Sequence, residues 1–173
     1  IHNIGNVLER KKMVMDALKE VKLEPTEEIV GKYPHMLSGG QRQRVVIARA
    51  LVIRPKIIIA DEPVSMLDVS IRAEILELMR EIQKKNNISF IYITHDLATA
   101  RYFGQNIIIL YLGKIMEAGS ISRVLTQPRH PYTQALIDAI SEPNPDNLYK
   151  EKIIRINEGN SEKKQYFIHL HNA

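Results

Sequence analysis

Between Lys56 and Asp96 the chain changes its hydrophobic period twice, and this alternation limits the folds open to it. Ile57-Ile58-Ile59-Ala60 is a short unbroken apolar run that stops at Asp61-Glu62-Pro63. Runs of this kind read as strands buried on both faces, the pattern of parallel sheets. From Ser70 the period becomes helical: Ile71, Ile75, Leu78, Met79 and Ile82 share a face, and Lys84-Lys85-Asn86-Asn87 closes the segment. Ile88 to Ile93 is a second apolar run, ending at Thr94-His95-Asp96. Strand, helix and strand make a βαβ unit, which predicts an α/β domain with a mostly parallel sheet and flanking helices.

The neighbouring segments continue this plan. Val7, Val14, Leu18 and Val21 fall on one helical face. Pro25 ends that helix, Thr26-Glu27-Glu28 opens a short second one, and a turn at Tyr33-Pro34 leads into a helix from Ser38 to about Ile53. Downstream, a helix over Leu97 to Phe103 precedes a third apolar strand, Ile107 to Leu112, and Gly113 turns the chain into an antiparallel partner from Lys114 to Ala118. Tyr132, Ala135, Leu136, Ala139 and Ile140 mark a further amphipathic helix. Glu142-Pro143-Asn144-Pro145-Asp146-Asn147 reads as a linker, and Ile153-Ile154-Ile156 as a weak strand candidate.

Composition removes several kinds of chemistry. The 173 residues are 45% hydrophobic, enough for one globular domain with a core. With no cysteine, the chain has no disulfide, thiolate nucleophile, cysteine-ligated zinc or iron–sulfur cluster, which fits a reducing compartment. The net charge is +4 with the basic residues scattered, so no nucleic-acid footprint is expected. No apolar run approaches the roughly 20 residues of a membrane-spanning helix, and the chain is expected to be soluble.

The residues able to do chemistry lie where the elements begin and end. Ser38-Gly39-Gly40-Gln41 opens a helix, where backbone N–H groups and the helix dipole favour an anion. The competing reading is a plain helix cap. Arg42, Arg44 and Arg49 read as solvated or paired. In open α/β sheets ligands bind beyond the carboxyl ends of the strands, which is where Asp61 and Glu62 stand. One carboxylate there suits Mg²⁺ held through water and the other suits polarising a water for attack on phosphate, against the alternative of a capped turn. His95 lies beyond the second strand and would emerge at the same edge as Glu62 if the two strands pair. Asp68 reads as the N-cap of the helix near Ser70.

In this order, Leu37-Ser-Gly-Gly-Gln41, Ile57 to Glu62, Ser65-Met-Leu-Asp68 and Thr94-His95-Asp96 resemble the second half of an ABC-transporter ATPase. They correspond to its signature motif, its Walker B strand with the catalytic glutamate, its D-loop and its switch histidine. Asp61-Glu-Pro-Val-Ser-Met-Leu-Asp-Val-Ser-Ile71 together with Arg129-His-Pro-Tyr-Thr-Gln-Ala-Leu136 is similar to the ATP-binding subunits of oligopeptide and dipeptide importers, a group that also serves nickel uptake. The resemblance implies the C-terminal half of a P-loop-type ATPase domain. Residues 1–36 would end the helical subdomain, 37–128 would form the core half, and 129–173 would be the importer-type C-terminal extension.

The same resemblance implies the site. Ser38, Gly39, Gly40 and Gln41 would contact the γ-phosphate of ATP held by a second ATPase subunit in a head-to-tail homo- or heterodimer. Asp61 would hold Mg²⁺ through water, Glu62 would be the general base, His95 would sense the γ-phosphate, and Asp68 would couple the two sites. The partners implied are that subunit, transmembrane permease subunits and, indirectly, a solute-binding protein, with the ATPase peripheral on the cytoplasmic side of the cell membrane and no nucleic acid.

The departures carry information too. No G-x-x-x-x-G-K-[ST] occurs in the 173 residues, and neither the Q-loop glutamine nor the base-stacking aromatic has a match. Read alone, these residues are expected to be inactive and marginally stable, since the parallel strands would expose edges and apolar faces. The alternative to an importer ATPase is therefore a non-catalytic half-module that complements another subunit's site. ABC-type ATPases of DNA repair fit less well, given the His-Pro-Tyr segment and the absence of zinc cysteines. Met66 stands where the importer group usually has alanine, and His169 and His171 read as tail residues without a completed metal site.

Overall fold

A computed structural model describes residues 5–140. They form two compact units that divide between His95 and Asp96, and each is described by itself. The linker expected at 142–147, the strand candidate at 153–156 and the histidines at 169 and 171 lie outside the described residues.

In the first unit, helix α1 (Val7–Glu20) starts at a capping box: the Asn6 side chain accepts the Glu9 N–H at 3.0 Å, and the Glu9 carboxylate accepts the Asn6 N–H at 2.7 Å. Ala17, Leu18 and Val21 are buried, while Val7 and Val14 are exposed. Only the last turns of the expected apolar face are therefore covered. The helices it meets, α2 (Thr26–Val30) and α3 (Gly39–Leu51), leave its first turns to solvent. A short 3₁₀ turn, Pro34–Met36, links these two. Helix α3 ends at Leu51, and Arg54 at φ 49° and Pro55 prevent its extension to Ile53.

Strand β1 (Ile57–Asp61), helix α4 (Val69–Asn86) and strand β2 (Ser89–Ile93) form the βαβ unit. The strands are parallel, in register from Ile57 opposite Ser89 to Asp61 opposite Ile93. Ile75, Leu76, Leu78, Met79 and Ile82 of α4 are buried and carry much of the core. The helix ends where Asn87 turns left-handed at φ 51°, a conformation asparagine accepts at low cost. Arg44 ties three helices together. One guanidinium nitrogen donates to the Val21 carbonyl at 3.0 Å, capping α1, and another meets Glu74 of α4 at 3.3 Å. The expectation that this arginine is paired holds.

The strands are not buried on both faces, and the exposed apolar face expected of these residues read alone is present. Ile57 is 59%, Ile59 67%, Ile91 53% and Ile93 47% exposed, whereas Ala60 is buried and Ile58, Phe90 and Tyr92 are half-buried. Successive side chains of a strand point to opposite faces. Among the described residues only one face of this two-stranded sheet is covered, so an unbroken apolar run ends up half in water.

The second unit begins with α5 (Leu97–Phe103), capped by Asp96, whose carboxylate accepts from the Ala98 N–H and the Thr99 hydroxyl at 2.9 and 2.6 Å. Strands β3 (Asn106–Tyr111) and β4 (Lys114–Ser120) form an antiparallel hairpin. Its two-residue loop has Leu112 at φ 46° and Gly113 at φ 77°, as a tight hairpin turn requires. The described strands thus make one parallel and one antiparallel pair in separate sheets. Helix α6 (Ile121–Thr126), with Ile121 and Val124 buried, has no counterpart in the sequence reading, and α7 (Pro131–Ile140) is the expected last helix.

Candidate functional site

The carboxyl ends of β1 and β2 bring Asp61, Glu62 and His95 to one edge. The β ladder runs one step past the paired strands, because the Glu62 N–H donates to the Ile93 carbonyl at 2.9 Å. Glu62 then turns left-handed at φ 46°, a strained conformation for a residue with a Cβ, which costs on the order of 1 kcal/mol or more. Pro63 follows, and the Glu62 carbonyl accepts from the Ser65 hydroxyl at 3.1 Å and the Ser65 N–H at 3.3 Å. The backbone is therefore committed to a sharp turn that leaves the Glu62 side chain at the strand end.

That side chain meets His95: Nδ1 lies 2.6 Å from Oε1, with the side chains 76% and 40% exposed for His95 and Glu62. The hydrogen bond from the imidazole is the main reason the Glu62 carboxyl is held below its ordinary value of 4.5. Slight burial opposes it, and the histidine's charge and the Ser65 hydroxyl assist. An ionised carboxylate can only accept, so Nδ1 carries the proton and Nε2 remains for another partner. The juxtaposition expected from paired strands is present.

The linkage follows from the direction of this shift. The contact contributes fully above pH 4.5 and is lost as the pH falls through the lower folded-state value. In a carbon-detected NMR titration the Glu62 carboxyl should titrate below 4.5, and His95→Ala should return it toward 4.5. An unchanged midpoint in that variant would remove His95 as the cause.

The other expected residues belong to the same first unit. Ser38 caps α3: its Oγ accepts the Gln41 N–H at 3.2 Å, and Gln41 Oε1 accepts the Ser38 N–H at 3.1 Å. The cap reading of this segment is therefore fulfilled. It is compatible with an anion site, because the first N–H groups of a helix, here those of Gly39 and Gly40, have no intrahelical acceptor. Asp68 occupies the N-cap position of α4, without a side-chain cap hydrogen bond. Asp61 is exposed. Among the described residues no group of three or more histidine, cysteine, aspartate or glutamate side chains could hold a metal ion. A single carboxylate is nonetheless the usual protein share for Mg²⁺, which keeps water and takes phosphate oxygens as its other ligands. The donor set fits a cation that arrives with a nucleotide and does not fit a resident metal.

Glu117 escaped the sequence reading. A β-bulge between Ile109 and Leu110 interrupts the hairpin beside it. The Glu117 carboxylate accepts the Arg129 N–H at 3.0 and 3.2 Å and the His130 N–H at 3.0 Å. His130 Nδ1 accepts the Tyr132 N–H at 3.1 Å, and Tyr132 packs on Tyr111 with ring centroids 4.6 Å apart. Burial pushes the Glu117 carboxyl up, but the His130 and Arg129 N–H donors, together with Thr133 and the His130 charge, hold the group below its ordinary value. The His-Pro-Tyr segment is thus a helix start capped from a strand, with proline placed where no N–H is needed. Glu117→Ala should cost about 1–2 kcal/mol and speed amide exchange in the first turn of α7. Unaltered exchange there would remove the cap.

Comparison with known proteins agrees with this layout. Residues 2–65 match the ABC transporter family, and residues 116–166 match the oligopeptide/dipeptide transporter C-terminal region. The chain thus carries two matched segments, one of the ABC transporter family and one of the oligopeptide/dipeptide transporter C-terminal region. It is 45% identical over 155 residues to a Brucella ovis protein named for peptide import and ATP binding, covering 90% of this chain and 48% of that protein. To the dipeptide transport ATP-binding protein DppF of Escherichia coli (strain K12) it is 41% identical over 155 residues, covering 83% and 46%. The crystal structure of the ADP conformation of an ATP-binding cassette of an ABC transporter superposes with a TM-score of 0.65 at 26% identity, covering 82% of this chain and 54% of that one. The dimeric structure of a bacterial ABC transporter cassette gives 0.58 at 34%, covering 70% and 51%. The chain spans about half the length of the curated relatives it matches.

Proposed function

We propose that these residues supply the hydrolytic edge of an ATPase that powers import of peptides or related solutes. The contact between Glu62 and His95 beside Asp61, at the carboxyl ends of two parallel strands, carries this reading. ATP bound with Mg²⁺ supplies the reactive phosphoanhydride, with Asp61 the residue that would hold the cation through water. Glu62, ionised and fixed by the strained turn and by His95, accepts the proton of an attacking water or orients it. His95 uses Nδ1 toward Glu62 and keeps Nε2 for the terminal phosphate. Positioning and electrostatics account for most of such catalysis.

Ser38, Gly39, Gly40 and Gln41 present backbone donors at the start of α3 to the γ-phosphate of a nucleotide held by a second ATPase subunit, and Asp68 links the two sites. The relatives named for peptide import support solute transport as the coupled work, through permease subunits and a solute-binding protein. No helix among the described residues is long and apolar enough to cross a membrane. The subunit would bind peripherally to the permease on the cytoplasmic side. The test is phosphate release from MgATP by the protein expressed from its complete reading frame, compared with its Glu62→Gln variant. Equal rates in the two proteins would overturn the assignment.

A further inference from the structure

The two glycines at the start of α3 occupy different surroundings. A Cβ at position 39 would lie 3.5 Å from Leu67 Cδ2, an ordinary contact. A Cβ at position 40 would lie 2.9 Å from Ile71 Cγ2, closer than real Cβ atoms approach a neighbour. Gly40 is buried, and Ile71 is half-buried on the first turn of α4. The obstructing methyl cannot swing aside cheaply, because a β-branched side chain in a helix has essentially one χ1 rotamer. The loop before α4 is itself braced. The Leu67 N–H donates to the Val64 carbonyl at 3.2 Å, and Arg72 donates to the Leu67 carbonyl at 3.4 Å.

We propose that Ile71 is a positioning residue for the anion-facing turn of α3: its Cγ2 methyl fills the space beside the Gly40 Cα, seats that turn against the 65–68 loop, and so aims the Gly39 and Gly40 N–H groups at the ligand. The inference rests on the ATPase reading above and deepens it. Of the two glycines, Gly40 is the one that must lack a Cβ for α3 to pack on α4, whatever its N–H contacts. Through Ile71, movement of the loop that carries Asp68 passes directly to the phosphate-contacting turn.

The contact makes a prediction that the backbone-donor role of Gly40 by itself does not. In the protein expressed from its complete reading frame, Gly40→Ala should lower both the melting temperature and MgATP turnover, the latter by at least about tenfold, a barrier change of about 1.4 kcal/mol. Adding Ile71→Leu or Ile71→Ala, which remove the Cγ2 methyl, should restore most of the turnover. Ile71→Val, which keeps a β-branched methyl, should not. In the Ile71→Ala background Gly40→Ala should raise the melting temperature, since alanine favours a helix over glycine once the clash is gone. The proposal fails if Gly40→Ala is harmless with Ile71 intact, or if its damage persists in all Ile71 backgrounds. A wild-type protein without MgATP turnover would defeat the ATPase reading instead, and the melting-temperature cycle would then decide the contact by itself.

Discussion

Glu62→Gln is expected to lower MgATP turnover by at least about a hundredfold while leaving nucleotide binding unchanged, since a positioned general base contributes roughly 10²–10⁴ in rate. Glutamine keeps the size of the side chain and an oxygen that can accept from His95 Nδ1, 2.6 Å away in the native pair. It loses the negative charge and the capacity to take a proton. The strained turn at position 62 is set by the Ile93, Pro63 and Ser65 contacts and not by the carboxylate, so the fold should survive the exchange. The measurements are steady-state phosphate release and, separately, equilibrium binding of a fluorescent ATP analogue. Retained turnover would remove Glu62 from the chemistry, whereas lost binding would recast it as a ligand contact.

The second large effect concerns the 173-residue chain by itself. Ile57, Ile59, Ile91 and Ile93 are each about half exposed on one face of the parallel pair. Burying an isoleucine fully is worth about 1.5–3 kcal/mol, so covering this face would yield on the order of 3–6 kcal/mol. That is comparable with the total stability of many domains, roughly 5–15 kcal/mol. The isolated chain should therefore self-associate at micromolar concentration in sedimentation velocity and melt without a sharp transition. Replacing the four isoleucines by threonine keeps the β-branched shape and removes the attraction, and should raise the monomer fraction severalfold. A cooperative melt of a wild-type monomer well above room temperature would show that the face needs no cover.

Much of the local structure was legible because its causes are local. Pro55 stands just past the end of helix α3, the two residues at Leu112-Gly113 specify a tight hairpin, and the switch of period around α4 marks a βαβ unit. Helix α1, expected to be stopped by Pro25, instead ends at Glu20, because Lys22 turns left-handed at φ 58° and the Leu23 N–H donates back to the Leu18 carbonyl. The meeting of Glu62 and His95 followed from one further premise, that the two apolar runs pair in parallel. What was not legible depends on surroundings. An open apolar face was expected, but an unbroken apolar run does not say which residues form it, and that it is Ile57 and Ile59 and not Ile58 and Ala60 depends on the helices packed opposite. Glu117 reaches across 12 residues to the Arg129 N–H, a distance no helical or strand period signals. Ile71 looked like one more core position, and its contact with Gly40 appears only once α3 and α4 are packed.

The ladder step from the Glu62 N–H to the Ile93 carbonyl has a consequence for quality control. A slip of β1 by one residue against β2 would move every side chain at the strand end by about 3.3 Å and turn it to the opposite face. Glu62 and His95 would then part completely, with no intermediate geometry in which they are slightly misaligned. On the proposed ATPase reading, a misregistered molecule would lack the hydrolytic pair altogether, so a register error would read out as loss of activity and not as a weakened site.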